Sequence, residues 1–278
     1  MTLFDLQRKL ESELESITPS PTSEAQLLLE FVLNLTSSDL VLRRAETVAQ
    51  QGIIKLERLL ERRLSGEPVQ YLLGQARFYG LELSVTPDVL IPRPETEILV
   101  ELALKRLRNV KAPYILDVGT GSGAIALALK FERPDARVWA SDISNKALEV
   151  ARRNANILGL DVHFVESDVL ESPELIKLLP DLDMLIANPP YLPRADKAEV
   201  APEVTREPST ALFAGEEGLG IFRRLEPQAY AGLRRGAHCL IELDPRNVHR
   251  AAQLASAWQK CEILPDLNAR ERFLVLQR

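Results

Sequence analysis

The run Gly119-Thr120-Gly121-Ser122-Gly123 constrains the fold more than any other part of the chain. Glycines at alternate positions let the backbone turn tightly and let a ligand approach without meeting a Cβ. The turn follows an apolar run, Tyr114-Ile115-Leu116-Asp117-Val118, and precedes Ala124 to Lys130, which opens a helix. Strand, glycine turn and helix in that order form the start of a βαβ unit. The pattern repeats downstream. Val138-Trp139-Ala140-Ser141 ends at Asp142, Val162-His163-Phe164-Val165 ends at Ser167-Asp168, and Met184-Leu185-Ile186-Ala187 ends at Asn188. Cys239 to Leu243 and Arg272 to Leu276 read as two further strands. Strands alternating with helical stretches predict an α/β fold, a mostly parallel sheet covered on both faces.

Upstream of this unit the periodicity is helical. Leu3, Leu6, Leu10 and Leu14 recur at three- and four-residue steps, Pro19 and Pro21 break the run, and Leu27 to Leu35, Leu40 to Leu42 and Ile53 to Leu64 continue it. Five of its arginines, Arg43, Arg44, Arg58, Arg62 and Arg63, are matched by nearby glutamates, the pattern of a solvated helix face. Residues 1–74 are therefore expected to form a small all-α domain that docks rather than catalyses. Alternating apolar residues around Gly80 predict a hairpin linker over 75–90, and residues 91–278 form the expected catalytic domain. Within it, Leu192 to Leu219 is a long polar segment without periodicity, a length that in compact domains belongs to function or disorder.

Composition narrows the partners. A net charge of −6 and a pI of about 5.4 weigh against direct DNA binding, which calls for a basic face. Cys239 and Cys261 are too few for a disulfide framework, and His163, His238 and His249 lack ligand spacing, so no metal is expected. No apolar run approaches membrane length and the N-terminus lacks a signal-peptide pattern, so a cytoplasmic protein is expected.

Asp142 stands about 20 residues beyond the glycine turn, at the end of the next strand, where an acid accepts hydrogen bonds from ribose hydroxyls. Turn and acid together predict an adenosine-containing cofactor. Gly119-x-Gly121-x-x-Ala124 also fits a dinucleotide fingerprint, but no proton donor suited to a nicotinamide accompanies it. Asp117, Asp168 and Asn188-Pro189-Pro190-Tyr191 instead suit S-adenosylmethionine, since each lies at the carboxyl end of a strand, where open α/β sheets bind ligands. The double proline removes two amide donors and stiffens the turn. Asn188 offers an acceptor and a donor. A planar NH2 group can give one hydrogen to its side chain and one to the Pro189 carbonyl, with Tyr191 over the plane.

These residues, with Gln70-Tyr71-Leu72-Leu73-Gly74, Phe78-Tyr79-Gly80 and Ile91-Pro92-Arg93-Pro94-Glu95-Thr96-Glu97, resemble the HemK/PrmC family of class I methyltransferases. Glu207-Pro208, Ala211-Leu212 and Gly218-Leu219 match as well, so the resemblance runs from about Gln70 to Leu243. It implies a Rossmann-like, seven-stranded sheet with an antiparallel last strand. It also implies methyl transfer from S-adenosyl-L-methionine to a glutamine amide in the Gly-Gly-Gln loop of peptide-chain release factors, leaving S-adenosyl-L-homocysteine. By the same resemblance, Gly119, Thr120, Gly121, Ser122 and Gly123 line the methionine part of the cofactor, and Asp117 and Asn188 belong to the cofactor site as well. Asp142 holds the ribose and Asp168 with Val169 edges the adenine; many relatives carry an aromatic residue where this chain has Val169. Asn188, Pro189 and Tyr191 carry the catalytic role, and Asn188, Pro189, Pro190, Tyr191, Arg93 and Glu97 bind the acceptor. Three alternatives stand beside this reading: glutamine methylation of a ribosomal protein, a DNA amino-methyltransferase, and a non-catalytic adaptor with a cofactor fold.

Overall fold

The computed structural model describes all 278 residues and divides into two compact units. The first holds Met1–Gly74 together with Ala201–Arg206; the second holds Gln75–Val200 and Glu207–Arg278.

The first unit is helical: α1 (Leu3–Leu14), α2 (Pro21–Leu33), α3 (Ser37–Leu42), α4 (Gln50–Leu64) and α5 (Val69–Leu73). Reciprocal capping boxes start α1 and α3, with Thr2 paired to Asp5 and Thr36 to Asp39. The α3 cap is Thr36, whose hydroxyl accepts the Asp39 amide. Leu3, Leu6, Leu10 and Leu14 are all buried, in a core with Leu28, Leu29, Leu56 and Leu60. Arg63 is buried in the same unit. Its Nε and Nη2 donate to the Glu24 carboxylate at 2.6 and 3.0 Å, and Nη2 also pairs with Glu203. Segment 201–206 is thereby tied to the helices by a fully desolvated guanidinium.

The second unit opens with a hairpin, β1 (Gln75–Phe78) and β2 (Leu81–Ser84). Tyr79 and Gly80 both have positive φ, 48° and 76°, the two-residue turn whose twist suits a hairpin. The hairpin is not a free-standing linker: Phe78, Leu81 and Leu83 are buried against Leu99, Val100 and Ala103. Those residues lie on α6 (Pro94–Leu107), which begins at Pro94 with proline at its first position.

Then strands and helices alternate: β3 (Tyr114–Val118), α7 (Ala124–Glu132), β4 (Arg137–Asp142), α8 (Asn145–Leu158), β5 (His163–Glu166), α9 (Pro173–Leu178) and β6 (Met184–Ala187). They continue with α10 (Ser209–Leu212), α11 (Gly220–Gly232), β7 (His238–Glu242), α12 (Val248–Leu254), β8 (Lys260–Pro265) and β9 (Glu271–Gln277). The seven-stranded sheet runs β5-β4-β3-β6-β7-β9-β8, parallel through β7, with β9 antiparallel to both neighbours. β8 has no counterpart in the sequence reading, because it is an edge strand whose first three residues are exposed and charged or polar. The chain leaves β3 toward β4 and β5 and resumes at β6 on the other side, so β3 and β6 flank the topological switch point. No helix is long and apolar enough to cross a membrane.

Candidate active site

Gly119, Gly121 and Gly123 all take left-handed conformations, with φ of 74°, 55° and 85°. A Cβ at Gly121 would meet nothing within 4 Å, so the glycine is required by its backbone and the space above it stays open. The turn is braced from the neighbouring strand end. Asp142 accepts the Gly121 amide at 2.9 Å through one oxygen and the Ser144 amide at 2.9 Å through the other. Burial raises its carboxyl above the ordinary range while these bonds pull it back.

Asp117 lies beneath the turn and is fully buried. One oxygen accepts the Thr120 hydroxyl at 2.6 Å and the Ala126 amide at 3.3 Å; the other, Oδ1, has no partner. Burial dominates and pushes its carboxyl up to about 7. A buried carboxylate oxygen without a donor is costly.

After β5 the chain passes through Asp168, whose Oδ2 is held by Arg224 at 2.8 Å, and Val169. Val169 is buried with φ of 53°, a conformation that costs a β-branched residue on the order of 1–3 kcal/mol. Such an outlier at a strand's carboxyl end fits a functional loop.

Register sets the last component beside the first. Val118 pairs with Ala187, and Ala187 with Ile241, so Gly119, Asn188 and Glu242 stand level on β3, β6 and β7. The Asn188 Nδ2 donates to the Thr96 hydroxyl at 2.9 Å, and that hydroxyl donates to Glu242 Oε2 at 2.8 Å. Thr96 and Glu242 are buried, and burial raises the Glu242 carboxyl to about 7. Tyr191 is raised to about 12, chiefly by burial and next by the Glu242 charge, so it stays a neutral phenol. Gly218 packs on the turn so closely that a Cβ there would collide with the Tyr191 carbonyl.

The structure brings Asp117, Gly119 to Gly123, Asp142 and Asn188 to Tyr191 to the carboxyl ends of adjacent central strands. Arg93 and Glu97 are engaged elsewhere. Arg93 donates to Glu207 at 2.5 Å, and that carboxylate also accepts the Ile91 amide at 3.0 Å; Glu97 accepts the Tyr79 amide at 2.8 Å. Both clamp the segment before α6. Thr96 and Glu242 are the components that sequence reasoning missed. Their one signal was the position of Thr96 inside the Ile91-to-Glu97 motif. No group of three His, Cys, Asp or Glu side chains is placed to hold a metal ion.

Comparison with known proteins agrees with this architecture. Residues 5–74 match the PrmC N-terminal domain and residues 95–218 the Methyltransferase small domain. Among solved structures, the Thermus thermophilus 16S rRNA N2 G1207 methyltransferase superposes with a TM-score of 0.54 at 19% identity, covering 73% of this chain and 49% of that one. The hMettl16 catalytic domain gives 0.55 at 14%, covering 82% and 81%. These place the second unit in the methyltransferase fold. The release factor glutamine methyltransferase of Deinococcus radiodurans is 44% identical over 100% of this chain and 99% of its own length. That of Moorella thermoacetica is 40% identical over 93% and 92%. The chain belongs to the release factor glutamine methyltransferase family.

Proposed function

We propose that the protein transfers a methyl group from S-adenosyl-L-methionine to the side-chain amide nitrogen of a glutamine in the Gly-Gly-Gln loop of a peptide-chain release factor. The observation that carries this is the register that sets Asn188 level with the glycine turn across the switch point. An acceptor amide gripped at one would lie beside a donor held at the other.

The residues fit the cofactor. Gly119 and Gly121 form a cradle with open space where Cβ atoms would stand, and Asp117 offers an unpartnered oxygen beneath it. Asp117 and Gly119 to Gly123 would hold the methionine end, Asp142 the ribose, and Asp168 with Val169 the adenine edge. When bound, S-adenosyl-L-methionine would supply an electrophilic methyl group: the N–C bond forms as the S–C bond breaks, S-adenosyl-L-homocysteine departs, and one amide hydrogen leaves as a proton after transfer. The protein's part is alignment. Asn188 Oδ1 and the Pro189 carbonyl accept the two amide hydrogens of the glutamine, fixing its nitrogen and raising electron density on it. Pro190 keeps that carbonyl in place, and Tyr191 covers the amide plane and excludes water. An amide is a poor nucleophile, so orientation and polarisation supply most of the barrier reduction. Arg93 and Glu97 serve the acceptor side indirectly, by fixing the start of α6. The helical unit serves docking, and the protein works in the cytoplasm with the translation factors it modifies.

Incubation with methyl-labelled S-adenosyl-L-methionine, offering a release factor, ribosomal proteins and duplex DNA in competition, tests this. Label on the release-factor glutamine is expected. Label on DNA or a ribosomal protein instead would overturn it.

A further inference from the structure

We propose that Thr96 and Glu242 are positioning residues that lock the Asn188 carboxamide in one of its two flips, with its oxygen presented to the acceptor. This rests on the glutamine-methylating reading above. A carboxamide has nearly equal ends, and only one orientation serves here. Turned the other way, its NH2 would face the NH2 of the acceptor, donor against donor, and the amide would not be gripped.

The lock is built from hydrogen-bond counting. A carboxylate at 242 donates nothing, so the Thr96 hydroxyl spends its single hydrogen on Glu242 Oε2, 2.8 Å away. The hydroxyl then has only lone pairs left to offer Asn188. Nδ2 meets them as a donor at 2.9 Å; Oδ1 in that place would meet them as a second acceptor. Thr96 and Glu242 are both buried and Asn188 is half-buried, so the wrong flip would set two acceptors face to face on the inner side of the carboxamide. The three residues come from α6, the turn after β6 and the end of β7, which rules out a merely local cap.

Charge on Glu242 is what sets the direction. Arg272 on β9, held by its Nε on Asp266 at 2.9 Å, brings Nη1 only to 3.8 Å from Oε1, beyond hydrogen-bond reach, so it supplies field rather than a hydrogen bond. Oε1 has no partner. Around the carboxyl also lie Arg93 and Glu95 at the start of α6 and Tyr191 after β6. Burial is the largest influence and holds the group at about 7. Once protonated, Glu242 can donate to Thr96, whose hydrogen is then released to point at Asn188, and both flips become satisfiable. Turnover therefore falls as pH drops through about 7.

Two measurements on the full-length protein decide this. In the first, Thr96→Ser is expected to keep kcat within about twofold, and Thr96→Val to lose at least tenfold in kcat at unchanged affinity for S-adenosyl-L-methionine. Glu242→Gln is expected to lose the acid limb of the pH profile. Equal kcat in the serine and valine variants, or an acid limb persisting in Glu242→Gln, would overturn the lock. The second needs no acceptor. In 15N spectra, the Asn188 side-chain NH2 pair, assigned by its loss in Asn188→Asp, should show one exchange-protected proton in the wild type and in Thr96→Ser. Protection should vanish in Thr96→Val; identical protection in all three would equally overturn the lock. A wild type that transfers no methyl to a release factor defeats the functional reading alone, and the spectra still decide the flip.

Discussion

The two turns that face each other across the switch point are held in opposite ways. The glycine turn is braced by near neighbours in sequence, Thr120 onto Asp117 three residues back and Gly121 onto Asp142 twenty-one residues on. The Asn188 turn is stiffened by its own prolines but aimed from afar, by Thr96 at a separation of 92 residues. Thr96 in turn is anchored on Glu242, 146 residues away. The glycine turn is thus built locally from left-handed backbone, while the Asn188 turn is aimed by distant elements that a whole sheet keeps in place.

Four experiments can break or sharpen that contrast. The largest effect is expected from Asn188→Ala, which removes the acceptor grip and leaves the glycine turn alone. Turnover should fall by roughly 10²- to 10³-fold, with cofactor affinity in a calorimetric titration essentially unchanged. Normal turnover would mean that the turn only shapes the loop. Asp142→Ala should do the reverse. Losing the brace on Gly121 and the acceptor for ribose together should weaken cofactor binding on the order of tenfold, about 1.4 kcal/mol, and spare kcat at saturating cofactor. Unchanged affinity would remove Asp142 from the pocket.

Gly218→Ala comes third. Its Cβ must push the Tyr191 carbonyl, and φ of 75° adds strain on the order of 1–2 kcal/mol. A severalfold rise in the acceptor KM with cofactor affinity intact is expected in steady-state assays; parallel loss of both would tie the two turns together. The smallest effect is on stability. Asp117 and Glu242 both sit at about 7, above their ordinary values, so the folded state binds more protons than the unfolded one between the ordinary carboxylate range and neutrality. Stability should therefore decline as pH rises through that window. Melting temperature against pH should show the slope, and Asp117→Asn with Glu242→Gln should flatten it. A slope unchanged in the double variant would exclude these carboxyls as its source.

The same contrast explains what was legible in advance. Gly119 to Gly123, Asp142 and the four-residue turn from Asn188 carry their chemistry within short windows, and strand periodicity sets each at a strand's carboxyl end. Thr96 stood inside the Ile91-to-Glu97 motif without a role of its own; Pro94 starts α6, which brings Thr96 into the first turn and its hydroxyl to Asn188. Glu242 looked like the charged end of a strand, and only the β6–β7 register sets it level with Asn188. Arg93 and Glu97 stood in the right motif, but their side chains are spent on Glu207 and the Tyr79 amide. β8 was invisible because an exposed edge strand needs no apolar alternation. Spacing along a chain reports what a local turn can bind; it does not report which distant side chain will share a hydrogen bond.

The chain crosses between its two units three times, after residues 74, 200 and 206. An exchange of N-terminal regions between relatives, spliced at Gly74, would therefore bring in a new set of helices while keeping the old 201–206 segment. Arg63 would then meet a carboxylate it did not evolve beside, or none, and a buried guanidinium with half its partners missing is among the more damaging defects a small helical unit can carry. Working chimeras need to carry that six-residue excursion as part of the donated piece.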